Sequence, residues 1–404
     1  MIAYHFPPSA GSSGIQRTLR FAHHLPKFGW DPLILTAHPR AYDRTSDDQL
    51  KDVNGAVVER AFALDSAKHL SIGGRYPRFA AQPDRWISWW LGAVPKGLAM
   101  IRKYRPHAIW STYPIATAHK IGHTLQRLSG LPWVADFRDP MAQPGYPADR
   151  RTWQSFKRIE EAALRSAQRS VFVTAGAARF YQEGYPEVSP DHIAVIENGY
   201  DEETFDGLES GSEPLVPGAI TLLHSGVVYP SERDPTHLFQ ALRQLQDSGT
   251  LRPGTLRVRL RAAGHEPLLR SLIATAGIGG LVELAPPIPY RDALREMMRA
   301  DGLLLLQASN CNDQVPAKAY EYLRCGRPVL ALTDPAGETA ALLRRANLHN
   351  IARLDSPEDI ALALQSFIGD LTAGRSPLPD GRFVKAASRL DRTRQLASML
   401  DQLQ

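Results

Sequence analysis

Two acidic side chains and one lysine lie close together in the segment 310–328, whose sequence is NCNDQVPAKAYEYLRCGRP. Lys318 and Glu321 are three residues apart and would share one face of a helix, while Asp313 precedes them. An ammonium holds a phosphate as a point charge, and a carboxylate accepts hydrogen bonds from paired sugar hydroxyls. The set favours a ligand with phosphate at one end and hydroxyls at the other, such as a nucleotide sugar. The alternative is an ordinary helix with a capping Asp and a surface Lys–Glu pair.

The elements around this segment predict where such a ligand would bind. The apolar run 303–306 indicates a buried strand, Pro316 suits the first position of a helix, and Gly326 suits its end. A helix that begins just past a strand offers free backbone N–H groups, and open α/β sheets bind anions at such places. We therefore expect a phosphate at the start of this helix.

Strand-like and helix-like segments alternate through both halves of the chain. In the first half, for example, a strand is predicted at 1–6 and a helix at 15–28. The pattern predicts an α/β fold with two doubly wound parallel sheets, each a Rossmann-like domain. A Gly-, Ser- and Pro-rich stretch without apolar period marks a linker. The expected parts are 1–205, the linker 206–218, the domain 219–380 and a terminal segment 381–404, with one helix at 382–403.

Composition narrows the class of protein. The chain has 404 residues, of which 43% are hydrophobic, so it can fill more than one ordinary core. It has two cysteines, which predict no disulfide framework and favour a reducing, cytoplasmic location. No apolar run in the sequence reaches the roughly 18 residues that a spanning helix needs.

Positive charge is concentrated between residues 68 and 127, where ten basic residues face a single acid, Asp84. Trp86, Trp89 and Trp90 lie in the same stretch. Tryptophan and cations suit the headgroup zone of a membrane, so residues Arg75–Arg105 are a candidate membrane-surface contact. A buried aromatic patch with solvated charges is the alternative. A nucleic-acid partner is not expected, because no recognised binding motif accompanies the charge.

The segment from Asp313 to Glu321 resembles the acid-x7-acid motif of retaining glycosyltransferases with the GT-B fold, family 4. Three further segments are similar to family motifs in the same order along the chain: Asp136-Phe-Arg-Asp-Pro140, Asn198-Gly-Tyr-Asp201 and His224-Ser-Gly226. The family usually has Glu where this chain has Asp313, which is one methylene shorter. The resemblance implies two Rossmann-like domains that face a central cleft.

The resemblance also implies roles for residues of the second domain. Asp313 and the backbone of Gln314 and Val315 would orient the donor sugar, and Glu321 would hold the ribose. Lys318 and Arg233 would face the diphosphate, although Arg233 could instead be a surface arginine paired with its acidic neighbours. The donor-binding positions that complete this set are Gly226, Gly264, Ile288 and, from the first domain, Gly14.

In the first domain the resemblance implies an acceptor side. The glycine-rich loop 7–14 would approach the ligands closely, and Arg17 would add positive charge or lie on the surface. His119 would lie near the donor sugar, or be a partly exposed helix residue. The remaining acceptor-side positions are Gly11, Asp136, Arg138 and Asp139, the last three of which could instead form an internal ion pair that shapes their loop.

Neither a metal nor a cofactor is expected. His119 and His123 have the spacing of a zinc pair, but Lys120 stands where zinc proteases have Glu. Asp136 and Asp139 could suggest a divalent ion, yet the GT-B fold implies metal-independent transfer.

The implied reaction is retaining transfer of a sugar from a nucleoside diphosphate sugar to a hydroxyl of a lipid-linked or saccharide acceptor, in cell-surface polysaccharide assembly. A sugar-nucleotide epimerase of the same fold and a catalytically silent sugar-nucleotide-binding scaffold are the alternatives.

Overall fold

The computed structural model describes residues 1–11, 14–53, 55–71, 73, 75–209, 211, 213–252 and 254–403. The chain forms two compact units, Met1–Asn198 with Arg389–Gln404, and Gly199–Ser388. The segment 206–218, which the sequence marks as a linker, belongs to the second unit, and its Ser210 and Ser212 lie outside the described residues. Among the described helices, none combines the length and apolar character that crossing a bilayer requires.

The first unit contains a parallel sheet flanked by helices. Its strands are β1 Leu33–Ala37, β2 Val57–Ala61, β3 Ile109–Thr112, β4 Trp133–Arg138, β5 Arg169–Phe172 and β6 Ile193–Val195. β1 pairs with β2, and β3 to β6 pair in sequence order, all in parallel. The helices are α1 Gly14–His24, α2 Ser66–His69, α3 Ser88–Tyr104, α4 Ala116–Ser129, α5 Arg150–Ser166 and α6 Ala175–Gly184.

The predicted strand at 1–6 is wrong as a regular strand. Only Ile2 forms β-bridges, to Leu35 on one side and to Ser111 on the other. Its N–H donates to the Trp110 carbonyl at 2.7 Å. The segment nevertheless joins β1 to β3, so the sequence placed an extended segment correctly in the sheet and overestimated its length.

The second unit repeats the α/β plan with a longer continuous sheet. Its strands are β7 Ile220–Ser225, β8 Leu256–Arg261, β9 Val282–Ala285, β10 Gly302–Leu306, β11 Val329–Leu332 and β12 Ile351–Ala352, in the spatial order β12-β11-β10-β7-β8-β9. All neighbouring pairs are parallel. The helices are α7 Thr236–Asp247, α8 Glu266–Ala276, α9 Tyr290–Arg299, α10 Ala317–Cys325, α11 Glu338–Arg345, α12 Pro357–Thr372 and α13 Gly381–Ala386.

This strand order creates a switch point between β7 and β10. From β7 the chain adds β8 and β9 on one side, and from β10 it adds β11 and β12 on the other. The loops that follow β7 and β10 therefore leave the same edge of the sheet with diverging connections. In open α/β sheets that crevice is where ligands bind. The second unit thus brings the 226–235 loop and the 307–316 loop to one place.

The predicted single helix at 382–403 is two helices. α13 ends at Ala386, and α14, Arg389–Asp401, begins three residues later. Ser388 forms a bridge with Tyr200 of the second unit, which takes the chain out of helical geometry there. α14 belongs to the first unit, where Leu396 and Leu400 are buried against Phe21 and Leu25.

The two units together show the predicted fold class, an α/β protein with parallel sheets. The strands that carry the switch point are apolar because both faces of the sheet are covered: every residue of β10 is buried.

Candidate active site

The helix that the sequence marks as an anion site is α10. Pro316 is its N-cap rather than its first helical residue, because its ψ of 136° keeps it extended. Gly326 ends the helix in the left-handed conformation, with φ of 67°, as its position in the sequence predicts. Lys318 is therefore in the first turn of α10, and Glu321 follows it one turn later.

Lys318 is held by a histidine. Its Nζ lies 2.9 Å from Nε2 of His224 at the end of β7. Burial and, to a smaller extent, the nearby Arg233 charge lower the pKa of Lys318 to about 7, while Glu321 opposes the shift. Near neutral pH the lysine can thus exchange its proton, and an anion placed beside it would favour the charged form.

His224 is fully buried, and both of its ring nitrogens are engaged. Nδ1 lies 2.9 Å from the carbonyl oxygen of Leu304 in β10. Because a carbonyl can only accept, Nδ1 carries the ring proton and Nε2 accepts from Lys318. Burial, with the nearby Lys318 charge, keeps the pKa of His224 well below its usual value, so the ring is neutral.

Gly226 lies against the same lysine. Its φ is 111°, which side chains rarely adopt, and a Cβ built there would stand 3.1 Å from the Nζ of Lys318. In the loop after β8, Gly264 has a φ of 63°, and its Cβ would lie 3.4 Å from Val227. Gly226 thus lets backbone come close to the ammonium, and Gly264 lies against the residue that follows Gly226.

Arg233 lies in the loop after β7, partly buried. Its Nη1 donates to the Val227 carbonyl at 2.9 Å, and its guanidinium lies 5.1 Å from the centre of the Tyr229 ring. It is near enough to Lys318 to lower that residue's pKa. The arginine is thus part of the cationic cluster, which we define as Lys318, Arg233 and the neutral His224.

Glu321 accepts a hydrogen bond from the phenol of Tyr290, at 2.7 Å. Tyr290 is 51% exposed and opens α9, two residues after Ile288, which is partly buried in the proline-rich loop behind β9. The carboxylate predicted to hold a ribose therefore contacts a residue two positions from Ile288, one of the predicted donor-binding positions.

The segment before α10 is a tight turn. Asp313 is exposed, and Val315 packs partly buried against the core beneath it. The Gln314 carbonyl accepts from the Gln307 amide at 2.9 Å and from the Thr339 hydroxyl at 3.2 Å. These bonds anchor the turn to β10, so its outer backbone has a defined position.

In the first unit, Arg17 and Asp136 form a buried ion pair. The guanidinium Nη2 is 2.8 Å from the carboxylate, and the side chains are 3% and 0% exposed. Arg17 also donates to the Ile196 carbonyl at 3.0 Å, and Thr112 donates to Asp136 at 2.8 Å. An internal ion pair is present, as one alternative held, but its arginine is Arg17 and not Arg138, and the surface position considered for Arg17 is wrong.

His119 is completely buried in α4, so the expectation of a partly exposed helix residue is wrong. Trp133 donates to the Ser111 hydroxyl at 2.9 Å, and that hydroxyl lies 2.8 Å from Nδ1 of His119. The ring packs 4.9 Å from Phe137, and burial lowers the pKa of His119 to about 4. In this structure the imidazole is neutral and is enclosed by side chains of its own unit.

Arg138 is the last residue of β4 and Asp139 follows it, and both are partly exposed. Arg138 has a φ of 60°, an uncommon conformation for arginine. Burial raises the pKa of Asp139, with Arg138 opposing the shift. Both residues keep some exposed surface, whereas Arg17 and Asp136 are buried.

The glycine-rich loop 7–14 is described only in part, since Ser12 and Ser13 lie outside the described residues. Gly11 has a φ of 81°, and Gly14 is the first residue of α1. The loop leaves the extended segment at Ile2, on the same edge of the sheet as the ends of β3 and β4.

A cavity of about 470 Å³ lies beside the loop after β4. Its apolar lining includes Pro144, Pro147, Trp153 and Phe180, and two cations, Arg150 and Lys157, complete it. The sequence did not single out this pocket, because its walls come from a loop and from two helices, α5 and α6, that are separate in the chain.

The tryptophans of the basic stretch are used inside the first unit. Trp89 is fully buried, Trp86 packs 4.8 Å from the Tyr4 ring, and Trp90 donates to the Thr124 hydroxyl at 3.0 Å. These contacts correspond to the buried aromatic patch. Leu91, in contrast, is 63% exposed.

Two residues of this site were not among the predicted site residues: His224 and Tyr290. His224 stands at the end of an apolar strand, and a histidine buried there signals a polar partner, since a buried ring nitrogen needs one. Tyr290 carries no comparable signal in the sequence, because its contact with Glu321 joins residues 31 positions apart.

A family model matches somewhat less than half of the chain in sequence, and solved structures resemble the chain in fold over its whole length. Residues 13–199 match the family model described as Glycosyl transferase 4-like domain. Among curated protein sequences there is no significant match.

Three solved structures illustrate the similarity in fold. Sucrose-phosphate synthase from Thermosynechococcus elongatus is 16% identical, with a TM-score of 0.68 over 100% of this chain and 98% of that one. HepE from Anabaena, solved in complex with UDP, is 15% identical, with a TM-score of 0.67 over 99% of each chain. α,α-Trehalose 6-phosphate synthase from Burkholderia multivorans is 11% identical, with a TM-score of 0.66 over 100% and 98%.

Proposed function

We propose that the chain is a glycosyltransferase of the GT-B fold, family 4, and that it transfers a sugar with retention from a nucleoside diphosphate sugar to an acceptor hydroxyl. The observation that supports the donor is the cationic cluster at the switch point of the second unit. Lys318 and Arg233 lie there with Gly226, whose missing side chain leaves room beside the ammonium.

In this proposal the diphosphate binds at the start of α10. Lys318 and Arg233 neutralise the charge that grows on the leaving phosphate, and the free N–H groups of the first helical turn assist. Glu321 accepts hydrogen bonds from the ribose hydroxyls, with Tyr290 beside it. Asp313 and the turn backbone at Gln314 and Val315 orient the sugar.

Retention is proposed to follow a front-face route, as the family resemblance implies. The acceptor oxygen forms its bond to the anomeric carbon on the side from which the diphosphate departs. The bond between that carbon and the phosphate oxygen breaks, and the leaving phosphate takes the acceptor proton. This route needs no carboxylate nucleophile and no metal or cofactor.

The acceptor side is proposed to lie on the first unit, at Arg138 and Asp139. Both residues are partly exposed, and burial raises the pKa of Asp139. The neighbouring cavity combines Trp153 and prolines with Lys157 and Arg150, which suits an acceptor that has an apolar part and an anionic part. A lipid-linked acceptor of polysaccharide assembly has that chemistry.

A membrane-surface contact through Arg75–Arg105 is also proposed. Its support is not the tryptophans, which pack inside the unit, but other residues of α3. Leu91 is exposed on α3, and Arg102, Lys103 and Arg105 are exposed at its end. Co-sedimentation with vesicles tests it: binding to anionic vesicles that falls with salt supports the contact, and equal recovery with neutral and anionic vesicles removes it.

The function itself is tested with a panel of labelled nucleotide sugars, beginning with UDP sugars, and lipid-phosphate and saccharide acceptors. Transfer of label with retained anomeric configuration supports the proposal. Isomerised free nucleotide sugar without transfer would instead identify an epimerase. Tight binding without either reaction, in every acceptor mixture, would identify a sugar-nucleotide-binding scaffold.

A further inference from the structure

His224 is buried beside the proposed donor site, although none of the roles given to the donor residues requires a histidine there. It is fully buried at the carboxyl end of β7, where a histidine must satisfy two ring nitrogens away from water. One nitrogen contacts the neighbouring strand at the Leu304 carbonyl, and the other contacts Lys318, 94 positions along the chain. The ring therefore bridges the two strands at the switch point and the helix that begins above them.

The direction of the two hydrogen bonds follows from the partners. Leu304 offers a carbonyl, so Nδ1 must donate, and the lone pair of Nε2 then faces the lysine. Lys318 has three N–H bonds when charged and uses one of them on Nε2. Two remain for the oxygens of a ligand.

A lysine side chain has four flexible bonds, so without a fixed acceptor its ammonium would be ordered only when a ligand binds, at a cost in rotamer entropy. The bond to a fixed ring settles the position of Nζ before a ligand arrives. A neutral acceptor serves this task better than a carboxylate would, since a carboxylate would cancel the positive charge that a phosphate needs.

We propose that His224 is a positioning residue: its neutral ring, fixed by the Leu304 carbonyl, holds the Lys318 ammonium in place for the donor diphosphate. The inference rests on the proposed donor site and adds to it the group that orders its lysine. His224 touches Lys318 and need not touch the nucleotide sugar.

Two substitutions separate the two bonds of the ring. In His224→Asn the amide nitrogen stands near the Nδ1 position, so the bond to Leu304 can persist while the acceptor for Lys318 is lost. In His224→Gln the amide reaches the Nε2 position, so an acceptor for Lys318 is restored. Tyr322→Phe is a matched control, because it removes the phenol that Ser225 N–H contacts at 2.9 Å at the end of β7.

The experiment measures binding of UDP, GDP, ADP and dTDP by calorimetry at pH of about 6, in a double-mutant cycle of His224→Asn and Lys318→Met. We expect each substitution to weaken the tightest nucleotide about tenfold or more, as expected for the loss of a charge-assisted bond. The double variant should bind no more weakly than Lys318→Met alone. His224→Gln should bind within a few-fold of the unsubstituted protein, and Tyr322→Phe should leave affinity unchanged.

Additive losses in the cycle would overturn the inference, since His224 would then act independently of Lys318. A loss of affinity in His224→Gln as large as that in His224→Asn would also overturn it, provided both variants unfold at the same temperature. If no nucleoside diphosphate binds the unsubstituted protein, the proposed donor site itself fails, and the inference fails with it. If Lys318→Met weakens binding and His224→Asn does not, the donor site stands and only the role of His224 is refuted.

Discussion

Donor affinity should depend on pH through Lys318. Burial and Arg233 lower the pKa of this lysine to about 7, and the charged form is the one that attracts a diphosphate. The competent fraction is therefore nearly complete well below pH 7 and is lost as the pH rises through that value. Because the apparent Kd equals the intrinsic Kd divided by the competent fraction, Kd should rise about tenfold between pH 6 and pH 8. The rise ends where the pH exceeds the higher pKa of Lys318 in the complex.

Calorimetry with an intact nucleotide sugar measures this effect cleanly, because both phosphates of its diphosphate are esterified and hold no proton in this pH range. Buffers of different ionisation enthalpy should reveal proton uptake on binding above pH 7. Lys318→Arg is the matched control: an arginine stays charged, so its Kd should be flat between pH 6 and pH 8. An equally flat profile for the unsubstituted protein would refute the assignment of this lysine to the diphosphate.

Three further outcomes are expected. Asp136→Asn leaves the buried Arg17 guanidinium without its counter-charge and should lower the free energy of unfolding by about 3–5 kcal/mol. The control Asp247→Asn breaks an exposed pair and should cost less than about 1 kcal/mol; thermal unfolding measures both. Glu321→Ala should lower turnover at least about tenfold through lost positioning of the donor, and unchanged turnover would remove it from the site. Gly226→Ala should raise the donor KM, because φ is 111° and the added methyl would press on the ammonium; an unaltered KM would show that the loop moves freely.

Local patterns in the sequence were enough for the architecture and for one side of the site. Runs such as 303–306 are apolar because both faces of a parallel sheet are covered. Such a run can be recognised in the sequence without knowing which strands lie beside it. The Pro316 and Gly326 boundaries of α10 follow from backbone restrictions of single residues, within one position. Lys318 and Glu321 share a helix, so their proximity is a matter of helical spacing.

Other features could not be predicted, because they join distant segments. The arginine that pairs with Asp136 is 119 positions away, and local reading favoured Arg138 because it was near in sequence. Burial of His119 depends on aromatic rings from β4 that close over it, which a helical pattern does not contain. The break between α13 and α14 likewise depends on the bridge between Ser388 and Tyr200, which lie near opposite ends of the second unit's sequence.

The amino-acid sequence alone determined the alternation of strands and helices, the start of α10 and the charge types offered there. Those properties depend on neighbours three or four residues away. The tertiary structure alone decided which nitrogen of His224 accepts from Lys318, which residue orders Lys318, and which arginine is buried against Asp136. Each of these is set by the order of parallel strands in a sheet, where residues far apart in the chain meet at one edge.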